Sequence, residues 1–348
     1  MYRLKKHLSA ATLRKKWENM VTFSVYQSFF VQKQLSRSMP VYSALNRYIP
    51  VFCEVIENKE TLMIFPLCKY IGSNRYCIMG KLNGFQLYDI VYKVGLPQEK
   101  IDDMVSFVLQ SLSMDSLEVA YLPEDSALYR SIMNLQARNI CHIETEAFDN
   151  VMISAEDGYE QYAASLSKHT RQNLRTAYNR IGSAGLDVRL EVVSGKPLSR
   201  VRLKEIMDLY CERHEIRYGV QTPAIKKWYL NHLDFSTKCI QNAPQNFYAI
   251  LYLGETVAAF MGGIIDTDRN CIIIPRLSIS NDFLRYSPGM VLINETMKYM
   301  IATIGVERLD LSKGAEQYKF AMGGLRYPTY TMKLSSINCS DIQKGKPC

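Results

Sequence analysis

The spacing of apolar residues along the chain switches repeatedly between about two and about 3.6, which divides it into alternating strands and helices. VFCEVIE (residues 51–57) and TLMIFPLC (61–68) are β-rich arms flanking a reversal at Asn58-Lys59, and they predict a hairpin; Pro66 marks an edge or a strand end. YCIMGKLNGFQLYDIVY (76–92) follows as strand, glycine-bearing loop and short strand. PQEKIDDMVSFVLQSL starts with Pro97 at a helix beginning and carries the stripe Ile101, Val105, Leu109. SLEVAYLP is a buried-type strand and residues 124–137 a further helix, so an α/β half ends near residue 150. Residues 1–48 are expected to be mainly helical, with Trp17, Phe23, Tyr26, Phe29 and Phe30 supplying core.

The second half opens with a helix predicted over residues 159–181, free of Pro and Gly and stopped by Gly182 and Gly185. LDVRLEVV is then a strand, followed by two helices, the second capped at Thr222 with Pro223 in its first position. NFYAILYL, Gly254-Glu255 and TVAAFMGGII form a second hairpin. A Glu-Thr pair leaves the turn in both hairpins (Glu60-Thr61, Glu255-Thr256), which suggests an internal duplication. The stretch from 270 to 320 organises the rest: a β-branched strand (271–279), the loop RYSPG, a helix and a second strand ending in a polar cluster. The expected boundaries are 1–153 for a first domain, 154–336 for a second, and 337–348 for a disordered polar tail.

Composition narrows the class. With 47% hydrophobic and 22% charged residues the chain is globular, and 348 residues are enough for two domains. The net charge of +8 suits a polyanionic ligand or an anionic surface, but the basic residues are dispersed, which argues against a dedicated DNA-binding domain. Nine scattered cysteines without a C-x-x-C pair read as buried hydrophobes in a reducing compartment. The basic N-terminus lacks the apolar core of a signal peptide, and the longest apolar run, 257–265, is far short of the ~20 residues that cross a bilayer. The expectation is a soluble cytoplasmic protein, with a peripheral contact at the inner face of a membrane left open. The five histidines show no ligand spacing, so no metal is expected.

Two motifs carry candidate chemistry. The loop RYSPG delivers Gly289 to the first turn of a helix, where unpaired N–H groups and the helix dipole favour an anion. Since Pro288 has no N–H, a cradle there would use Gly289, Met290 and Val291, with Arg285 adding charge; the alternative is an ordinary strand–loop–helix joint. Lys168, Arg171 and Arg175 stand at i, i+3 and i+7 on one helix face, either as a solvated basic face or as an anion contact. Pro275 interrupts CIIIPRLS, which fits a splayed strand or an edge strand equally.

The cluster ERLDLSKGAEQYK, with Asp310, Gly314, Glu316, Tyr318 and Lys319, resembles the ending of the tandem GNAT-like acyltransferases named after the cellulose-biosynthesis protein CelD and related to the FemAB transferases. Ser287, Pro288, Gly289 and Leu292 match that family's S/R-P-G-x-x-L loop, LSKHTRQNLR its arginine-bearing helix, and Pro66-Leu67, Gly80 and Tyr88-Asp89 its N-terminal half. The resemblance spans roughly residues 17–325. It implies an α/β (α+β) fold of two tandem GNAT-like domains, each a mixed twisted sheet flanked by helices, with the donor in the second. It also implies an N-acyltransferase that takes acetyl-CoA or another acyl-CoA and acts on an amine of an envelope or polysaccharide precursor such as an amino sugar. On that reading Arg285, Ser287, Gly289, Met290 and Val291 bind the donor. Lys168, Arg171, Arg175, Tyr88 and Asp89 bind the acceptor between the halves, and Glu316 or Asp310 (base), Tyr318 (acid) and Lys319 (oxyanion or phosphate partner) carry the chemistry. The alternatives are a FemAB-type peptidyltransferase using aminoacyl-tRNA and a non-catalytic binding module of the same fold.

Overall fold

The computed structural model describes residues 1–46, 48–81, 85–218 and 240–335. The helix start at Thr222-Pro223 and the tail 337–348 lie outside them. The described residues form two compact units, one within 1–148 together with 328–335, the other within 149–327.

In chain order the first unit contains β1 (Arg3–His7), α1 (Arg14–Trp17), β2 (Met20–Val21), α2 (Phe29–Asn46), β3 (Tyr48–Glu57), β4 (Glu60–Tyr70), β5 (Arg75–Ile78), β6 (Val91–Lys93), α3 (Gln98–Ser111), β7 (Ser116–Leu122) and α4 (Ala127–Ala137), then enters β8 (His142–Ser154). Its strands run β1-β3-β4-β5-β7, with β6 joining β2 and β4. Asn58 and Lys59 both take positive φ, 50° and 68°, the reversal that matches strand twist and pairs Glu57 with Glu60. The beginning of the chain departs from the helical expectation, for β1 is an edge strand antiparallel to β3. RLKKH is short and charged, which suits an edge. It is pinned by His7, whose Nε2 lies 2.8 Å from Oε2 of the buried Glu54, a carboxylate that Lys16 and Thr61 also bind.

The second unit continues from β8 with α5 (Tyr159–Ser165), α6 (Lys168–Ser183), β9 (Val188–Ser194), α7 (Arg200–Tyr218), β10 (Asn246–Leu253), β11 (Thr256–Asp266), β12 (Cys271–Ile279), α8 (Pro288–Tyr299), β13 (Arg308–Lys313) and α9 (Gln317–Ala321). The strand order is β8-β13-β12-β11-β10-β9. The single helix expected over 159–181 is two helices, because Ser167 stops one and caps the next: its Oγ accepts the Thr170 N–H at 3.0 Å. One face of the sheet (Phe247, Ala249, Leu251, Met261, Ile272, Ile274) packs with Leu174, Ala177 and Ile181 of α6 and Val291, Leu292 and Met297 of α8 in one core. Asn294 locks α8 in place, accepting from Tyr159 Oη at 2.9 Å and donating to Tyr178 Oη at 2.8 Å. The last strand, β14 (Leu325–Ser335), pairs its outer residues with β7 from Tyr330↔Leu122 to Ser335↔Ser116.

The two units repeat one topology. In each, an antiparallel hairpin and a third strand lead through a helix to a strand parallel to the third: β3-β4-β5-α3-β7 and β10-β11-β12-α8-β13. The fold is α/β, mixed sheet flanked by helices, in tandem.

Candidate functional site

In the second unit the third and fourth strands of the motif part company. β12 and β13 are paired in parallel over only three residues, Cys271–Ile273 against Arg308–Asp310. The ladder ends before Pro275, while β12 runs on to Ile279 along β11. Among the described residues, the β13-facing edge of β12 beyond Ile273 therefore has no strand partner. A wedge opens there, in which backbone groups on that side of β12 are left unpaired by the sheet.

The far end of β12 feeds the start of α8. Residues Asn281–Tyr286 form a 3₁₀ turn, and Ser287 enters the left-handed region (φ 50°, ψ 52°) to redirect the chain. Pro288 occupies the first helical position, where a missing N–H is harmless. The N–H groups of Met290 and Val291 turn back to the Ser287 carbonyl at 3.0 and 3.2 Å, and the Gly289 N–H has no partner among the described residues. The expected three-residue cradle is thus led by Gly289. A side chain there would meet only Ile279 Cγ2, at 3.4 Å, so the approach to this N–H is open. Arg285 is exposed, lies over the Tyr286 ring at 4.6 Å and donates to its hydroxyl.

Asp310 stands at the apex of the wedge, as the last β13 residue in the parallel ladder, and is buried. Its Oδ1 accepts the Ser312 N–H at 2.8 Å and its Oδ2 accepts the Tyr327 hydroxyl at 2.5 Å. Burial raises the Asp310 carboxyl above its ordinary range, against the pull of these two bonds. Burial and the neighbouring Asp310 also drive Tyr327 well up, so its hydroxyl stays protonated. Tyr327 was not among the expected site residues; its separation of 17 positions from Asp310 gives no local signal.

The remaining cluster is tied together by Lys319. Its buried ammonium donates to the carbonyls of Leu311, Lys313 and Gly314 at 2.9, 3.1 and 3.1 Å, and lies 3.1 Å from Glu316 Oε2. Gly314, at φ 115°, takes a backbone conformation that L side chains rarely adopt, and a Cβ there would crowd the Glu316 carboxylate. Lys319 and Glu316 thus hold the bend of residues 311–316 in shape. Tyr318, half-buried on α9, packs against the core described above.

The basic stripe on α6 divides. Arg171 is spent on the α5–α6 joint, where its Nη1 donates to the carbonyls of Ala164 and Leu166 at 2.5 and 2.6 Å. Lys168 and Arg175 are exposed. The stripe that faces the turn before α8 is instead Thr176, Asn179, Arg180 and Ser183, which with Arg285 and Tyr286 line an open cleft of about 430 Å³. Its sequence signal was present, as polar residues at i, i+3, i+4 and i+7. In the first unit, Tyr88 and Asp89 point into their own core. Asp89 accepts three backbone N–H groups, Ile90 at 2.7 Å and Ala127 and Leu128 at 2.9 Å, the last two from the first turn of α4. Burial pushes its carboxyl up to about 7 despite those bonds. The Tyr88 ring packs over Gly80, its hydroxyl standing where a Cβ would lie. Among the described residues no group of three or more His, Cys, Asp or Glu side chains could hold a metal, and no helix is long and apolar enough to cross a membrane.

Residues 168–320, which contain the wedge, α8 and the Asp310 cluster, match the family model described as Acetyltransferase (GNAT) domain. No curated protein matches the chain. Among solved structures, FemX is similar with a TM-score of 0.60 at 9% identity, covering 94% of this chain and 96% of FemX. A tandem GNAT protein from the clavulanic acid biosynthesis pathway gives 0.56 at 9% identity, over 98% of this chain and 100% of that one. L-PGS from Bacillus licheniformis gives 0.51 at 11% identity, over 93% and 91%. The fold is that of GNAT acyltransferases; kinship to the CelD family in particular does not emerge from these likenesses.

Proposed function

We propose that the unit of residues 149–327 is an acyl-CoA-dependent N-acyltransferase, with acetyl-CoA as donor and an amine of an envelope or polysaccharide precursor, such as an amino sugar, as acceptor. The observation that carries this reading is the wedge between β12 and β13 with the open helix start of α8 at its far end. The donor supplies an activated thioester carbonyl. Gly289, at the positive end of the α8 dipole, and Arg285 fit its diphosphate, and Ser287 sets the chain reversal that presents them. Met290 and Val291 complete the turn.

The acceptor nitrogen forms a bond to the thioester carbon, the C–S bond breaks, and one proton must leave the amine while another reaches the thiolate sulfur. Tyr327 Oη, held by Asp310, receives the amine proton as Asp310 Oδ2 takes the hydroxyl proton, a relay that leaves both groups short of a full buried charge separation. Tyr318 is the proton donor to the departing sulfur. Glu316 and Lys319 stabilise the bend of residues 311–316 and take no part in these proton transfers. Lys168 and Arg175 remain available for an anionic acceptor.

The test is release of free thiol from acetyl-CoA by the full-length protein in the presence of a panel of amino sugars and their nucleotide forms, with the product identified by mass. Acceptor-dependent thiol release supports the reading. Transfer from aminoacyl-tRNA with none from any CoA thioester would replace it by peptide-bond chemistry on the same fold, and activity with neither donor would point to a binding module.

A further inference from the structure

We infer that the cleft between α6 and the Asn281–Tyr286 turn is a phosphate-monoester subsite, read chiefly by Arg180, and that within the acyl-CoA reading, on which this rests, it recognises the 3′-phosphate of the donor's ribose. The cleft's volume of about 430 Å³ falls in the range of small-ligand sites. Its lining presents two guanidinium groups, Arg180 and Arg285, with the neutral polar side chains of Thr176, Asn179 and Ser183, and contains no carboxylate. That set has donors in excess and no negative charge to satisfy them, which is the chemistry of an anion site.

Arg180 is also held in position. Its Nη1 donates to the Arg285 carbonyl at 3.1 Å, which fixes the side chain against the turn. Nε and Nη2 have no partner among the described residues, so one planar guanidinium is oriented with donors to spare, the fork geometry that suits a phosphate. The subsite adjoins the helix start and shares Arg285 with it, but it is built by α6 and the turn rather than by α8. Yet Arg285 is only four residues before Gly289, a chain distance of at most about 14 Å. One ligand carrying a diphosphate and a second phosphate a few atoms away would engage both.

The experiment is calorimetric titration of the full-length protein and of Arg180→Ala with CoA and with dephospho-CoA, which lacks only the 3′-phosphate. Arg180 is exposed, and unchanged circular dichroism and melting would confirm that the variant folds. The expected result is that the wild type binds CoA roughly tenfold more tightly than dephospho-CoA, that Arg180→Ala loses this difference, and that its affinity for dephospho-CoA is unchanged. Raised salt should narrow the gap. Equal binding of the two nucleotides by the wild type, or equal weakening of both in the variant, would overturn the subsite while leaving the donor reading intact. Binding of neither would remove the donor reading and the subsite with it.

Discussion

Replacing Lys319 by Met separates a scaffold from a chemical role. The ammonium is bound to three main-chain carbonyls between 2.9 and 3.1 Å, and its side chain is 5% exposed. Hydrogen bonds to a charged group contribute about 1.5–3 kcal/mol each. Three bonds sharing one ammonium are not additive, and Met also relieves the desolvation of the charge. Glu316, its ion-pair partner, is 34% exposed and can rehydrate, so no carboxylate is left stranded. The net loss should be about 3 kcal/mol in the second unit. For a unit of this size that corresponds to a fall in melting temperature of about 6–12 °C. The assay is thermal unfolding followed by circular dichroism, beside donor binding and turnover measured well below the lower melt. The expected variant is less stable, while at low temperature it binds donor and turns over close to wild type. An unchanged melt with turnover lost would refute this reasoning and make Lys319 a group that acts on substrate.

Asp89 provides a pH test in the first unit. Its folded pKa of about 7 lies above the ordinary carboxylate value of 3.8, so its contribution to stability is fully present below about pH 4 and is lost as pH rises through 7, about 4 kcal/mol in all. Asp89→Asn should abolish that slope in urea midpoints taken from pH 4 to 8, while lowering stability at pH 4 by about 1–3 kcal/mol because its amide faces the Ala127 N–H; a variant with the wild-type slope would exclude Asp89 as its source. Tyr327→Phe removes the hydroxyl from Asp310 Oδ2 and should cut turnover about 10²-fold with donor affinity intact, and a wild-type rate would take Tyr327 out of the reaction.

Much of the fold was readable because many of its elements obey local rules. β12 is an apolar β-branched run, Pro288-Gly289 opens a helix in the way its backbone chemistry requires, and Asn58-Lys59 makes a reversal from two residues that tolerate positive φ. The break between α5 and α6 was missed because it has no Gly or Pro; Ser167 ends the helix by offering its hydroxyl to the next one. The strand at the N-terminus was missed because five mostly charged residues show no apolar period, and only pairing with β3 makes them a strand. Side-chain destinations were least legible. Lys319 and Arg171 carry charges that suggest ligands, but each is consumed by peptide carbonyls that the fold brings to it. Tyr327 and Arg180 have partners 17 and 105 positions away, so only the folded chain shows their surroundings.

Whether the start of α8 receives the donor's diphosphate is decided by titrating the full-length protein with acetyl-CoA beside Gly289→Asp. Aspartate in the first turn of a helix is favourable to the fold, so that variant should melt as the wild type does while a carboxylate occupies the anion's approach. The wild type should bind one acetyl-CoA per chain saturably, with the affinity weakened at least about tenfold in the variant. Equal affinity in the two proteins, or no binding of any CoA thioester by the folded wild type, would contradict it.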